Sequence, residues 1–446
     1  MRVTSTAVAM ALASAVSLYA APAKSLHPLA KPIVNVSADA PVSIVTRSLR
    51  PLKRPELRKR APLGTVASMN RSGEDPGFEI WVDTFRDRAL AQGISAGVFD
   101  RAFSGVIYDA DIIRRDRNQS EFTKTIWEYL DSAASDLRVS NGKSALQSHE
   151  DVLARIEEAY GVEKEVVVAV WGLESAYGSF RGNEDVIRSL ATLAFDGRRG
   201  AFFEEQLLAA LKILENGDTS PRNMTGSWAG AMGHTQFIPT SYLDYAVDFT
   251  GDGRRDIWSD DPTDALASTA AYLARFGWTK GQPWGVEIQL PNGFDYRKAS
   301  RNISKSPSVW ADLGVRDMRG QPVANHGPAS ILLPAGGAGA AFMIFDNFAV
   351  IERYNTADAY VIGVGHLSDR IGGGRAIQAD WPRGDRALTF NERKEIQRRL
   401  TSSGFDTQGI DGKIGPNTID AVRAYQVANG LTPDGYPSLR LLDRLR

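Results

Sequence analysis

The chain has 446 residues, 43% of them apolar and 9 of them tryptophan, which is enough to bury the cores of two or three domains. A formal net charge of −1 gives no positive field of the kind that nucleic-acid binding requires. The sequence has no cysteine, which excludes disulfides, thiolate metal sites, cysteine nucleophiles and cysteine-linked lipid anchors, and its five scattered histidines do not suggest a catalytic zinc site.

The N-terminus has the pattern of an export signal. Arg2 precedes an alanine-rich apolar run over 7–21 that is too short to anchor the chain in a bilayer, and Ala21-Pro22-Ala23 provides a small-x-small cleavage site. We therefore predict a signal peptide over residues 1–23 and an exported, soluble, periplasmic protein without a membrane anchor. A buried N-terminal helix is the alternative.

Residues 24–76 combine several prolines with a basic cluster and lack apolar periodicity, which predicts a disordered linker. The cluster could contact anionic polymers of the cell envelope, or it could simply keep the linker solvated.

Helical periodicity begins near Phe78 and continues to about Leu214, with clear amphipathic stretches at Glu150–Tyr160 and Phe202–Leu214. Within this region, residues 166–173 carry no charge and predict a buried helix. Glu174 follows directly, and Gly178 is placed to end the helix. Apolar neighbours and the negative end of the helix dipole both disfavour the anion, as a general acid requires. A glutamate that simply meets solvent is the alternative.

The stretch Gly226–Tyr242 is rich in glycine, hydroxyl, amide and aromatic groups. Small residues let the backbone approach a ligand closely, Ser227 and Gln236 offer neutral hydrogen bonds, and aromatic faces stack on sugars. The stretch therefore indicates a binding loop. A structural glycine-rich turn is the alternative, although such a turn does not require Gln236.

A second loop matches the first nine positions of an EF-hand. Its oxygen-bearing residues at positions 1, 3, 5 and 9 are Asp248, Thr250, Asp252 and Asp256. Position 12 is Ser259 and not the usual bidentate glutamate, so Asp260, Asp261 or Asp264 would have to complete the site by a longer path. A structural Ca²⁺ at these four residues is one hypothesis, and an Asp/Gly turn followed by a helix cap at Asp264 is the other.

Helix returns around Asp264–Phe276, and short strand-like runs follow at Val286–Leu290, Ala329–Leu333 and Ala341–Phe345. Two helical segments at about Phe348–Asn355 and Tyr360–Arg370 precede a Trp-Pro-Arg-Gly hinge at 381–384. We expect residues 77–380 to form one mainly α domain with a small β-containing part.

Three separated motifs in this domain resemble, in order and spacing, those of the lytic murein transglycosylase B family. They are Leu173-Glu174-Ser175-x-Tyr177-Gly178, Ser227-x-Ala229-Gly230-Ala231-Met232-Gly233-x-x-Gln236-Phe237-x-Pro239 and Arg353-Tyr354-Asn355. The resemblance implies a lysozyme-like catalytic domain with Glu174 as the catalytic acid/base. It also implies a sugar-binding cleft lined by Ser227, Gln236, Tyr272, Tyr354, Asn355 and Tyr360. His234 stands where that family often has tyrosine or glutamine, so no role is assigned to it.

The reaction implied by this family is cleavage of the MurNAc–GlcNAc β-1,4 bond of peptidoglycan with formation of 1,6-anhydro-MurNAc ends. Ordinary glycosidases use two carboxylates, and no motif here pairs a second one with Glu174. No cofactor is expected for catalysis, and any Ca²⁺ would be structural. A hydrolytic muramidase and a non-catalytic cell-wall-binding protein are the alternatives.

Residues 386–446 carry a dense pattern of Asp-Gly turns and apolar helix faces, including Ile410-Asp411-Gly412 and Gly415-Pro416. The pattern resembles the small three-helix peptidoglycan-binding domain found at the ends of wall hydrolases, with a generic helical bundle as the alternative. The expected partners are therefore peptidoglycan glycan strands, with no nucleic acid.

Overall fold

The structure is a computed structural model in which residues 75–117 and 124–446 are described. The predicted signal peptide and all but the last two residues of the predicted linker lie outside this range. No helix in the described residues combines the length and apolar character that crossing a membrane requires.

The first part of the described chain is helical, with N-terminal caps where polar residues precede apolar runs. Asp75 accepts hydrogen bonds from the first amides of its helix, and Thr125 forms a capping box with Glu128. The helices are α1 (Pro76–Ala91), α2 (Ala96–Ala102), α3 (Ala110–Arg117), α4 (Ile126–Ala133), α5 (Asp136–Ser148), α6 (Glu150–Tyr160), α7 (Lys164–Ser175), α8 (Val186–Asp196) and α9 (Gly200–Asn216).

Further helices follow the glycine-rich stretch and complete the domain. They are α10 (Pro239–Tyr245), α11 (Thr263–Arg275), α12 (Pro307–Asp312), α13 (Asp346–Tyr354) and α14 (Asp358–Ile371). The predicted helices at Glu150–Tyr160 and Asp264–Phe276 correspond to α6 and α11, and the two segments predicted after residue 347 correspond to α13 and α14.

Two small antiparallel sheets interrupt the helices. In the first, β1 (Glu184–Asp185) pairs with β2 (Thr225–Gly226) and ties the end of the α7 region to the glycine-rich loop. In the second, the strand order is β4-β3-β6-β5, formed by β3 (Gly285–Gln289), β4 (Arg316–Asp317), β5 (Ser330–Leu332) and β6 (Ala341–Ile344). Met343 lies opposite both Val286 and Ile331, above a separate core around the fully buried Trp310. The three predicted strands are confirmed as β3, β5 and β6.

Helix α7 lies at the centre of the main core. Four consecutive residues, Val167 to Val170, are 0% exposed, because a helix that is apolar on all sides must be surrounded by other elements. Helices α14, α5 and α11 pack around it. This packing places the C-terminal end of α7, which carries Glu174, against the N-terminal half of α14.

The C-terminal unit consists of α15 (Phe390–Ser402), α16 (Pro416–Ala428) and α17 (Leu439–Leu445), with a core of its own that includes Ile396, Val422 and Leu442. It touches the β-containing part, where the Gly337 amide donates to Asp434 at 3.0 Å. The predicted mainly α fold with a small β part and a C-terminal three-helix unit is confirmed.

Candidate active site

Glu174 lies in the last turn of α7, half-buried, where the helix meets an unusual turn. Helix α7 ends at Ser175, and both Ala176 (φ 50°) and Tyr177 (φ 58°) adopt the left-handed conformation before Gly178 (φ 83°). The prediction that Gly178 ends the helix was therefore wrong by two residues. Non-glycine residues in this conformation are strained and persist only where tertiary contacts hold them.

Contacts of Tyr177 and Arg138 hold this turn. The Tyr177 hydroxyl donates to the Arg138 carbonyl at 2.7 Å, and the Arg138 guanidinium donates to the Gly172 carbonyl at 3.0 Å. The Tyr177 ring lies so close to Gly172 that a Cβ there would be 2.6 Å from the ring. The chain thus folds back under the last turn of α7 and fixes the backbone that carries Glu174.

Tyr360, in the first turn of α14, contacts the carboxylate directly. Its hydroxyl donates to Glu174 Oε1 at 2.8 Å. Burial, followed by the charge of Glu174, raises the pKa of Tyr360 well above its ordinary value, so the hydroxyl keeps its proton and remains a donor. Tyr354 stacks beside it with ring centroids 6.5 Å apart, and burial and Glu174 raise its pKa as well.

Tyr129 is a third tyrosine near Glu174, and no sequence motif predicted it. Burial and then the Glu174 charge raise the pKa of Tyr129 above its ordinary value. Tyr129 lies on α4, whose close approach to α14 depends on Gly363: a Cβ there would be 2.9 Å from the Tyr129 ring. The candidate site therefore surrounds one carboxylate with neutral hydroxyl groups.

Gln236 has a fixed orientation in the glycine-rich loop. It adopts a left-handed backbone conformation (φ 58°), and its Nε2 group donates to the carbonyls of Arg181 and Gly233, both at 2.8 Å. Two carbonyl partners fix the amide nitrogen, which leaves the amide oxygen as the group that Gln236 can offer a ligand. The carbonyl of the preceding residue, Thr235, accepts from the Tyr354 hydroxyl at 2.8 Å.

Ser227 begins the tight turn at the start of this loop. Its Oγ accepts from the Ala231 amide at 3.0 Å, so its hydroxyl hydrogen remains available for donation. Gly182 (φ 85°) lies directly against the loop, and a Cβ there would overlap the carbonyl group of Gly226. The loop and the segment after Glu174 thus pack backbone against backbone.

The remaining predicted cleft residues flank the tyrosines. Tyr272 on α11 packs against Tyr354 with ring centroids 5.1 Å apart, and its hydroxyl donates to the Arg353 carbonyl at 2.7 Å. Asn355 lies between α13 and α14, where its Oδ1 accepts from the Ala357 amide at 3.0 Å. The contacts connect Glu174, Tyr360, Tyr354 and Tyr272 in one chain of side chains, whereas Asn355 supports the turn beside them.

His234 is buried, and its ring is hydrogen-bonded to two other segments of the chain. Trp171 Nε1 donates to His234 Nδ1 at 3.1 Å, so that nitrogen is unprotonated, and Nε2 donates to the Ser259 carbonyl at 2.7 Å. Burial lowers the pKa of His234 below its ordinary value. The neutral ring therefore joins α7, the glycine-rich loop and the 258–260 segment, a role that the sequence did not indicate.

The EF-hand-like loop is closed by its own amides. Asp248 accepts from the amides of Gly251, Asp252 and Gly253. The buried Asp264 accepts from the amides of Phe249, Thr250 and Asp256.

The other predicted ligands are also engaged within the loop. The Thr250 hydroxyl donates to Asp248, Asp252 accepts from Arg254, and Asp256 accepts from Trp258 and Ser259. Within 75–117 and 124–446, no three histidine or acidic residues converge as a metal site. As arranged, the residues do not form a calcium cage, and the calcium hypothesis stays a prediction.

Comparisons with known proteins place this geometry in context. Residues 77–369 match the transglycosylase SLT domain family, and residues 390–445 match a peptidoglycan binding domain family. Membrane-bound lytic murein transglycosylase B of Escherichia coli (strain K12) is 37% identical over 240 residues. That match covers 52% of this chain and 63% of the relative, so the chain spans less than two thirds of that protein.

Solved structures of lytic transglycosylases are also similar to this chain. SltB3 from Pseudomonas aeruginosa, in complex with NAG-anhNAM-pentapeptide, is 51% identical over 83% of this chain and 99% of its own, with a TM-score of 0.81. Slt35 from Escherichia coli, in complex with calcium, is 31% identical over 67% of this chain and 93% of its own, with a TM-score of 0.55. These similarities confirm the predicted lysozyme-like fold and its C-terminal unit.

Proposed function

The chain belongs to the transglycosylase SLT family, and from this premise we propose that it is a lytic transglycosylase that cleaves peptidoglycan with Glu174 as its single acid/base. The observation that carries the proposal is the hydrogen bond from Tyr360 to Glu174 within a group of neutral hydroxyl and amide side chains. The bond cleaved is the MurNAc–GlcNAc β-1,4 linkage.

In the first step, Glu174 donates its proton to the glycosidic oxygen as the bond to the MurNAc C1 breaks. Tyr360 orients the carboxyl group, and the fixed turn at Ala176 and Tyr177 keeps its backbone in place. Neutral hydroxyl and amide groups near the sugar can bind its hydroxyl groups without providing a second carboxylate that could act as a nucleophile or base. Ser227 and the Gln236 amide oxygen are the polar groups proposed to hold the MurNAc and GlcNAc rings.

In the second step, the carboxylate formed in the first step removes the proton from the C6 hydroxyl of the same MurNAc. The C6 oxygen then attacks C1 of the same sugar and closes a 1,6-anhydro ring. A nucleophile within the substrate has a high effective molarity, about 10⁵ M or more in well-oriented cases, so a second carboxylate that activates water is unnecessary. No step uses a metal ion.

The C-terminal unit is proposed to bind the cell wall and raise the local concentration of glycan strands near the catalytic domain. Together with the signal peptide predicted at residues 1–23, it is consistent with the proposed periplasmic location.

The test is the substitution Glu174→Gln, which keeps the shape of the side chain and removes its acid/base function. We expect release of anhydro-muropeptides from purified sacculi to fall by roughly 10²-fold or more, because general acid–base catalysis contributes about that much. Glu158→Gln, the same change on the exposed face of α6, is the control and should leave the rate unchanged. Equal activity of Glu174→Gln and the control would reject the assignment.

Mass spectrometry of the products separates the proposed reaction from hydrolysis. A hydrolytic muramidase releases products with reducing MurNAc ends, each heavier by one water molecule than the anhydro form. If products with reducing ends predominate, the proposed ring closure is rejected, and only the proposed cleavage of the glycan strand stands.

A further inference from the structure

A cavity of 260 Å³ opens beside the segment that follows Glu174. Its wall includes Trp171, Tyr177, Arg181 and Asp260. Trp171 precedes Glu174 by three residues on α7, so the two lie on neighbouring faces about 4.5 Å apart along the helix axis. The proposed reaction steps leave this cavity without a role.

Arg181 is fixed at the edge of the cavity. Its Nη1 group donates to the carbonyls of Trp258 and Ser259 at 3.0 and 2.6 Å, and its own carbonyl accepts from Gln236 Nε2 at 2.8 Å. The guanidinium is therefore held in one position by backbone groups. The same residue is joined to Gln236, a predicted sugar-binding residue.

The second terminal nitrogen of this guanidinium, Nη2, has a partner that is easily exchanged. Arg181 Nη2 donates to Asp260 Oδ1 at 2.8 Å, although the Asp260 side chain is 100% exposed and that of Arg181 is 29% exposed. An ion pair with a fully solvated partner contributes little to stability. A ligand carboxylate can therefore replace Asp260 at Nη2 and leave the bonds of Nη1 intact.

The wall also includes the polar residues His149, Ser179 and His234. Both ring nitrogens of His234 are engaged, Nδ1 by Trp171 and Nε2 by the Ser259 carbonyl, and Arg181 Nη1 lies 3.2 Å from Nε2. Arg181 and Asp260 form the ion pair of this wall, and the rings of Trp171 and Tyr177 form its apolar part. The cavity is smaller than the roughly 300–1,000 Å³ typical of pockets for drug-sized ligands, so it suits one amino-acid residue.

We propose that this cavity binds the zwitterionic end of the diamino acid in an uncrosslinked peptide stem of the substrate, a specificity that rests on the proposed function. In peptidoglycans with a dicarboxylic diamino acid, that end carries a free carboxylate and a free ammonium on one carbon. Arg181 takes the carboxylate and Asp260 takes the ammonium. A zwitterion that exchanges partners with an ion pair leaves every charge paired.

The experiment compares four glycan substrates. The first carries native uncrosslinked stems, and the second carries stems in which the free ammonium of the diamino acid is acetylated. The third carries stems in which the free carboxylate on the same carbon of the diamino acid is amidated, and the fourth has no stems. For the unaltered protein we expect kcat/KM to fall about tenfold on amidation, because hydrogen bonds to charged groups are the stronger ones. We expect a fall of about threefold on acetylation, because Asp260 is exposed.

Each variant should lose sensitivity to one modification only. Arg181→Gln should no longer distinguish amidated from native stems, and Asp260→Asn should no longer distinguish acetylated from native stems. Arg86→Gln removes a comparable Arg–Asp pair between α1 and α2 and should retain both sensitivities. If Arg181→Gln does not fold, Asp260→Asn decides alone, because its side chain is fully exposed.

Equal kcat/KM of the unaltered protein on native, amidated and acetylated strands would overturn the proposal. Cleavage of the stripped strands shows that the proposed function holds independently of this result. No cleavage of any strand would reject the proposed function itself.

Discussion

Replacing Tyr360 by phenylalanine removes one hydroxyl group and keeps the ring that packs against Tyr354. The lost interaction is the 2.8 Å hydrogen bond to Glu174 Oε1, made by a side chain that is 6% exposed. Hydrogen bonds to charged groups contribute about 1.5–3 kcal/mol, and each 1.4 kcal/mol corresponds to about a factor of ten. If the bond is needed to orient Glu174 in the transition state, kcat should fall roughly 10- to 100-fold.

The assay is the initial rate of anhydro-muropeptide release from sacculi, with kcat and KM determined separately on a soluble glycan. KM should change less than kcat, because the Tyr360 ring that lines the predicted sugar cleft is retained and the hydroxyl that is lost already donates to Glu174. Tyr242→Phe is the matched control: Tyr242 is 0% exposed, and its hydroxyl donates to the Arg255 carbonyl away from Glu174. The reasoning fails if kcat of Tyr360→Phe stays within about twofold of that control.

Three further predictions concern stability and binding. Burial, followed by the charge of Arg370, lowers the pKa of His366 from 6.5 to about 4. Between these pH values the unfolded protein binds a proton that the folded protein does not bind. The free energy of unfolding should therefore decrease by up to about 3 kcal/mol as pH falls from 6.5 to 4. Urea unfolding should show a shallower decrease for His366→Gln, and equal slopes would contradict the prediction. Gly182→Ala should destabilise the fold by about 2–4 kcal/mol, against about 1 kcal/mol for Gly217→Ala. Both glycines have positive φ, but of the two only Gly182 lies where an added Cβ would overlap neighbouring backbone. Equal melting temperatures of the two variants would refute this prediction. Deleting residues 386–446 should weaken binding to sacculi more than cleavage of short soluble glycans, and equal loss in pull-down and turnover assays would exclude a targeting role.

The regular elements were predictable because local patterns determine them. The helix predicted at Glu150–Tyr160 has the same bounds in the structure, and the strands agree to within two residues. Amphipathic and apolar periodicity, together with Asp and Gly at element ends, carries that information within a short window. The buried helix before Glu174 was predictable for the same reason.

The parts of the site that were missed depend on contacts between distant segments. Tyr129 approaches Glu174 only because α4 packs closely on α14 at Gly363. The left-handed turn at Ala176 is held by Tyr177, whose partner Arg138 lies 39 residues earlier in the chain. No local pattern in the sequence encodes such pairs, since alanine and tyrosine ordinarily avoid this conformation. The six cleft residues inferred from the family resemblance stay predictions until ligand binding is measured.

The close contact between Gly172 and Tyr177 also restricts how this region can evolve. A larger residue at position 172 collides with the ring, while a smaller residue at 177 removes the hydroxyl bond to Arg138 and empties the space over Gly172. The effects of substitutions at the two positions are therefore expected to be strongly non-additive. A larger residue at position 172 is expected to be better tolerated when position 177 carries a smaller residue, so the backbone beside Glu174 constrains two positions as a pair.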